Sequence, residues 1–195
     1  WSSRTATSSG ADPELPRLMA AIPVLKVLFV GDGNVGKTSL VRRYCTGMFT
    51  ASRVTTIGVD FQTQIVQLPQ GEVKLSIWDL AGQDRFQVMR PGFYKGGRTA
   101  AMVFDATNPE SFKGLGRWRQ EVIEVVPNQP LVVVANKIDL PRVQAAEEAR
   151  AYADSIQAPY LETSAATGEG VDTLFETIAR LAWATAALTG RPAGA

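Results

Sequence analysis

The segment Gly31-Asp32-Gly33-Asn34-Val35-Gly36-Lys37-Thr38 constrains the fold more than any other part of this chain. It joins a short apolar run, Val24–Val30 (VLKVLFV), to a stretch with helical spacing. The pattern G-x-x-x-x-G-K-[ST] between a strand and a helix forms a phosphate cradle. Glycines let the backbone curl so that successive N–H groups point inward at phosphate oxygens. The helix N-terminus adds its positive end. Lys37 is placed to reach the outer phosphates as a point charge, and the Thr38 hydroxyl to ligate Mg²⁺. The candidate phosphate contacts are Gly31, Gly33, Asn34, Val35, Gly36, Lys37, Thr38 and Ser39. The plainer reading is a Gly-rich strand-to-helix turn without a ligand.

Other apolar runs repeat the first. Thr99–Phe104 (TAAMVF) and Leu131–Ala135 (LVVVA) suit parallel strands buried on both faces. Val59–Leu68 alternates, with Val59, Phe61, Thr63 and Ile65 on one face; Val73, Leu75 and Ile77 alternate likewise. Pro69-Gln70-Gly71 between them reads as a hairpin turn. Helical spacing falls between strands. Asn108-Pro109-Glu110 reads as a cap, a first-turn Pro and an acid, opening one helix that carries Phe112, Leu115, Trp118, Val122 and Val125. Gly114 and Gly116 weaken it by about 1 kcal/mol each. Val171, Leu174, Phe175, Ile178, Leu181 and Ala182 mark a last helix. The expected class is α/β: a doubly wound, mostly parallel six-stranded sheet with one antiparallel edge strand. Residues 1–22, rich in Ser, Thr, Ala and Pro, read as a disordered tail or a remnant, with Met19 as the candidate native start and 1–18 upstream of it. The domain is expected over 23–186, followed by a short tail over 187–195.

Composition removes whole classes of chemistry. A chain of 195 residues with no histidine has no Ser-His triad, no imidazole acid/base and no His-ligated metal. One cysteine, Cys45, excludes a disulfide framework and a zinc cluster and points to a reducing compartment; the thiol itself reads as core. A net charge of +1 without long runs of one sign gives no nucleic-acid footprint. No stretch approaches the roughly 18 apolar residues of a membrane span, and no signal-peptide pattern follows Arg4.

Three later motifs follow predicted strands. Asp79-Leu80-Ala81-Gly82-Gln83 is an ordinary turn by itself and specific beside a phosphate loop. There Asp79 holds the Mg²⁺ shell, through water, Gly82 N–H senses a terminal phosphate and Gln83 orients an attacking water. In Asn136-Lys137-Ile138-Asp139, Asp139 can accept two hydrogen bonds from the N1–H and N2–H₂ edge of guanine, which adenine lacks. A buried requirement of that kind discriminates by about 10⁴–10⁵. The Lys137 stem packs along the nucleotide. In Glu162-Thr163-Ser164-Ala165, backbone N–H groups of Ser164 and Ala165 are placed for guanine O6. Phe49 offers a ring edge to the base, with core packing as the equal alternative.

These elements, in this order, resemble a small GTPase of the Ras superfamily over about residues 24–183, closest to the Rab branch. Thr56-Ile57-Gly58-Val59-Asp60-Phe61 is similar to the end of the Rab switch I, and Lys74–Phe86 to the start of switch II. Phe93-Tyr94-Lys95-Gly96-Gly97 and Phe104-Asp105-Ala106-Thr107-Asn108 are similar to two further Rab segments. The resemblance implies a P-loop GTPase domain that hydrolyses GTP to GDP with Mg²⁺. It makes Thr56 a ligand of the ion and of the γ-phosphate. It also makes Ile57, Phe61, Trp78 and Phe93 a partner-binding surface, the three aromatics reading the nucleotide state. Buried hairpin packing is their plainer role. Exchange factors, GTPase-activating proteins and effectors are the implied partners of a monomeric switch, cytoplasmic or peripheral at intracellular membranes, in vesicle traffic. Intrinsic turnover in such proteins is roughly 10⁻⁴ s⁻¹, raised about 10³–10⁵ by an arginine finger.

Departures from the pattern qualify the resemblance. Ala166 stands where the family often has Lys, yet remains a candidate base contact, and Leu80 replaces a common Thr. The sequence closes on Thr189-Gly190-Arg191-Pro192-Ala193-Gly194-Ala195, without the prenylated cysteines of Rab tails. A direct lipid anchor is therefore not expected from these residues, whether the chain is shortened or works without its own lipid. Arg53, three residues before Thr56, has the spacing of the cis arginine finger of heterotrimeric G-protein α subunits; a solvated loop arginine is the preferred reading. The alternatives are a cytosolic or prokaryotic Ras-like GTPase that recruits partners without lipid, and a non-hydrolysing GTP-bound scaffold.

Overall fold

A computed structural model of the chain describes residues 22–50 and 56–189. Arg53, the tail before Ile22 and residues 190–195 lie outside the described residues.

Six strands form one sheet in the order β2-β3-β1-β4-β5-β6. They are β1 (Val24–Val30), β2 (Val59–Leu68), β3 (Gly71–Leu80), β4 (Thr99–Asp105), β5 (Leu131–Asn136) and β6 (Tyr160–Thr163). Only β2 and β3 pair antiparallel, joined across Pro69-Gln70 with Leu68 opposite Gly71. All other pairings are parallel. The expected class is observed.

The alternation of β1 divides the core. Leu25, Val27 and Phe29 face α1 (Lys37–Thr46) and α6 (Val171–Thr189), where Leu40, Leu174, Phe175 and Ile178 close one apolar layer. Leu28 and Val30 face the other layer, with Tyr94, Leu115, Trp118 and Val122. That layer is built by α2 (Arg90–Tyr94), α3 (Pro109–Lys113), α4 (Leu115–Val125) and α5 (Ala146–Ser155). Burying such side chains on both faces is worth about 1.5–3 kcal/mol each, and it fixes where the strand ends lie.

Two local expectations change. The single helix expected from Asn108 is two, broken at Gly114. The Asn108 cap is present, its side chain accepting from the Glu110 N–H at 3.1 Å. The break falls where the chain meets the phosphate loop: a Cβ at Gly114 would lie 2.9 Å from an Asp32 carboxylate oxygen. The shared face of Val59, Phe61, Thr63 and Ile65 is real but outward, with Phe61 51% and Ile65 52% exposed. Val66 and Leu68, of opposite parity, enter the core instead. Cys45 is half-buried, packed against the α1–α6 layer rather than within it.

Candidate nucleotide site

The parallel strands end at one edge, where ligands bind in open α/β sheets. A cleft of about 330 Å³ opens there. Gly33, Asn34, Gly36, Lys37, Thr38 and Ser39 line it from the loop after β1. Phe49, Thr56, Gly82, Gln83, Asn136, Lys137, Asp139, Ala165 and Ala166 line it from five other segments. Thr50, Leu80 and Leu140 complete the wall without a signal in the sequence.

The loop depends on its glycines at two close approaches. Gly31 has φ +138°, and a Cβ there would sit 2.1 Å from the Val103 carbonyl oxygen. Gly36 has φ +96°, and its Cβ would meet the Asn136 amide nitrogen at 2.3 Å. Lys37 is buried, donating to the Gly31 and Asp32 carbonyls at 2.7 and 2.8 Å. Burial lowers its pKa to about 8, against the raising influence of Asp79 and Asp32.

At the phosphate end three segments meet. Thr38 Oγ1 donates to Asp79 Oδ2 and lies 2.9 Å from Thr56 Oγ1. Asp79 ends β3 almost fully buried; burial raises its pKa, and Lys37 opposes the shift. Its Oδ1 is buried without a hydrogen-bond partner. A buried orphan carboxylate oxygen beside two hydroxyls is an oxygen donor set that suits a hard divalent cation. No group of three or more His, Cys, Asp or Glu is placed to hold a metal among the described residues. Gly82 lies against the loop so closely that a Cβ would be 2.3 Å from the Asp32 carbonyl carbon.

At the base end the expected contacts also bond within the protein. Asn136 is buried: one Nδ2 N–H donates to the Val35 carbonyl at 2.9 Å, and Oδ1 accepts from Thr163 Oγ1 at 3.2 Å and Ala165 N–H at 3.3 Å. It braces three loops at the cleft. The N–H groups expected to face guanine O6 donate within the protein, Ala165 to Asn136 as above and Ser164 to the Glu169 carbonyl at 2.9 Å. The Ser164 side chain has a clear role, donating to Asp139 Oδ1 at 2.6 Å and fixing that carboxylate at the cleft. Lys137, at φ +67°, bonds Asp105 Oδ2 at 2.5 Å, so its stem crosses the cleft floor.

Sequence reasoning missed the supports. Arg43 donates to the Gly47 and Thr167 carbonyls at 3.1 and 2.9 Å, tying the segment before Phe49 to the loop around Ala166. Asp105 was legible as a carboxylate ending an apolar strand. Arg90 was not: it is 1% exposed, paired with Glu121 at 2.9 Å, and donates to the Gln83 carbonyl at 3.3 Å. Outside the cleft, Phe61 and Trp78 meet edge-on at 4.5 Å and Trp78 lies 6.2 Å from Phe93, while Ile57 is 77% exposed. The aromatics thus both pack and face outward.

The Ras family model matches residues 26–184. The chain is 40% identical over 158 residues to "Ras-related protein Rab-18" of Caenorhabditis elegans, covering 80% of this chain and 78% of that protein. It is 42% identical over 170 residues to "Ypt/Rab-type GTPase ypt7" of Pyricularia oryzae, covering 83% of each. It is 42% identical over 167 residues to "Ras-related protein Rab7" of Pisum sativum, covering 80% of this chain and 81% of that one.

Proposed function

This chain belongs to the Ras family as a Rab-type GTP hydrolase, and from that premise we propose a guanine-nucleotide switch in vesicle traffic worked by the cleft residues described above. The observation that carries the reading is the meeting of the Thr38 and Thr56 hydroxyls over the buried Asp79 carboxylate, in a cleft that Asp139 also lines.

Thr38, Thr56 and, through water, Asp79 would hold Mg²⁺. When bound, the ion supplies neutralisation of charge on the phosphate oxygens. Lys37 and the N–H groups from Gly31 to Ser39 bind the phosphates. Gly82, packed on the loop, meets the terminal phosphate, and Gln83 orients the attacking water. Thr56 couples the segment before β2 to the terminal phosphate, so loss of that phosphate releases both switch segments. Asp139, aimed by Ser164, selects guanine; Phe49, Lys137, Ala165 and Ala166 enclose the base, and Asn136 holds the enclosure together. Ile57, Phe61, Trp78 and Phe93 present the state to exchange factors, activating proteins and effectors.

No helix among the described residues is long and apolar enough to cross a membrane. Family likeness supports reading it as a monomeric protein that acts in the cytoplasm and peripherally at intracellular membranes. Gln83 at the cleft wall and hydrolysing relatives weigh against a non-hydrolysing scaffold, and Rab-type likeness against a Ras-like GTPase outside membrane traffic.

The test is nucleotide extraction from purified protein, with GTP hydrolysis measured with and without Gln83→Leu. GTP or GDP is expected in the extract, and hydrolysis should fall in the variant. ATP competing with labelled GTP at similar concentration would overturn the assignment of Asp139. Single-turnover hydrolysis by Arg53→Ala decides the cis finger: an unchanged rate excludes it.

A further inference from the structure

We propose that Arg117 is a positioning residue for Gln83, clamping the start of the switch segment to the phosphate loop. The inference rests on the GTP-hydrolysing reading of the cleft and deepens it.

Arg117 lies on α4, outside the cleft wall. Its guanidinium joins two carboxylates from separate segments: Nη2 bonds Asp32 Oδ1 at 2.9 Å and Nη1 bonds Asp84 Oδ1 at 2.8 Å. Asp32 belongs to the phosphate loop; Asp84 directly follows Gln83. A planar fork that holds two acceptors fixes direction as well as distance, which a lysine does not. The Asp32 end is already rigid. The same oxygen accepts the Trp118 indole N–H at 2.8 Å, and α4 comes against this carboxylate at Gly114. The Asp84 end is not, since that side chain is 72% exposed and its other cation, Arg90, is 3.9 Å away. Arg117 therefore transfers the position of a fixed loop to a free one.

The back half of the segment is held from the same helix. Glu121, one turn beyond Arg117, takes Arg90, the Tyr94 hydroxyl at 2.9 Å and Gln87 at 3.3 Å. Gln83 directly precedes the Asp84 anchorage, and its carbonyl accepts from Arg90 of the second. An ion pair this exposed adds little to global stability. Its effect is local, on how often Gln83 and Gly82 occupy the phosphate end.

Single-turnover hydrolysis by GTP-loaded protein tests this. Arg117→Ala is expected to slow hydrolysis by about three- to tenfold, the scale of one partly exposed pair, with the Kd for GTP changed less than about twofold. Arg117→Lys should recover part of the rate. Asp84→Asn should cost as much as Arg117→Ala, and the double variant no more than either. At about 1 M salt, where screening falls to about 3 Å, the wild-type rate should approach that of Arg117→Ala while the variant stays constant. Amide hydrogen exchange at Gln83–Phe86 should rise in Arg117→Ala, a readout independent of turnover. Unchanged exchange, a wild-type rate in Arg117→Ala, or losses that multiply in the double variant would each overturn the clamp. A wild-type protein that does not hydrolyse GTP would overturn the functional reading instead, with the exchange measurement still deciding the clamp.

Discussion

Asn136 donates its side-chain amide to the Val35 carbonyl at 2.9 Å across 101 residues of chain. The base end of the cleft is thereby fastened to the loop that holds the phosphates. Truncation to Ala removes this bond and the acceptor of Thr163 and Ala165, leaving buried groups unpaired at about 1–3 kcal/mol each. Asn136→Ala is expected to raise the nucleotide dissociation rate at least tenfold and to lower the thermal midpoint. Release of a fluorescent GDP analogue measures the first, and calorimetry the second.

The glycines of the phosphate loop separate into structural and open positions. Gly31→Ala drives a Cβ into the Val103 carbonyl at a φ that disfavours side chains. It should destabilise the protein by about 2–4 kcal/mol. A Cβ at Gly33 meets nothing within 4 Å. Gly33→Ala should leave the urea midpoint of the nucleotide-free protein nearly unchanged. Equal losses in the two variants would contradict this division.

Asp105 carries a pH dependence. Burial pushes its carboxyl pKa up, but bonds from Lys137 and Thr107 outweigh it, and the net direction is down. A carboxyl lowered on folding stabilises the fold above its unfolded pKa, about 3.9. That contribution is lost as pH falls through the lower, folded value. In Lys137→Met the acid-dependent loss from this carboxyl should be smaller, because without Lys137 its folded pKa is held down less and lies nearer the unfolded value. Urea midpoints of both proteins between pH 3 and 6 measure the shift; coincident profiles would show that the pair does not link to folding.

Burial raises the pKa of the Cys45 thiol. The thiolate is the reactive form, so iodoacetamide at neutral pH should modify Cys45 more slowly than free cysteine, by about tenfold or more. Full reactivity should return in guanidinium chloride. Mass spectrometry of timed samples reads both.

The legible parts of the molecule were those where a local rule and a tertiary demand coincide. Leu131–Ala135 is apolar throughout because β5 is covered on both faces, so its strand character shows in five letters. The glycines of the phosphate loop show because their backbone conformation excludes most other residues. The break between α3 and α4 was legible only as the weakening at Gly114; the Asp32 carboxylate that a side chain there would meet was not. Nor was Arg117, whose partners lie 85 and 33 residues away. Asn136 was found as a motif residue, but its role depends on which loops fold around it, and these come from Val35, Thr163 and Ala165. A spacing names the residue; only the assembled strand ends say whether its amide faces ligand or protein.

Trp118 is fully buried beneath the Arg90 guanidinium, 4.1 Å from the ring, and its indole N–H is bonded to Asp32 of the phosphate loop. An indole in that position is a native optical probe. Its excited state feels the Arg90 and Arg117 guanidinium groups and the Asp32 carboxylate at its edge, and Arg90 follows the segment that loss of the terminal phosphate would release. Emission from Trp118 can therefore follow occupancy of the cleft in unlabelled protein, with Trp118→Phe as the blank that removes the signal from Trp1, Trp78 and Trp183.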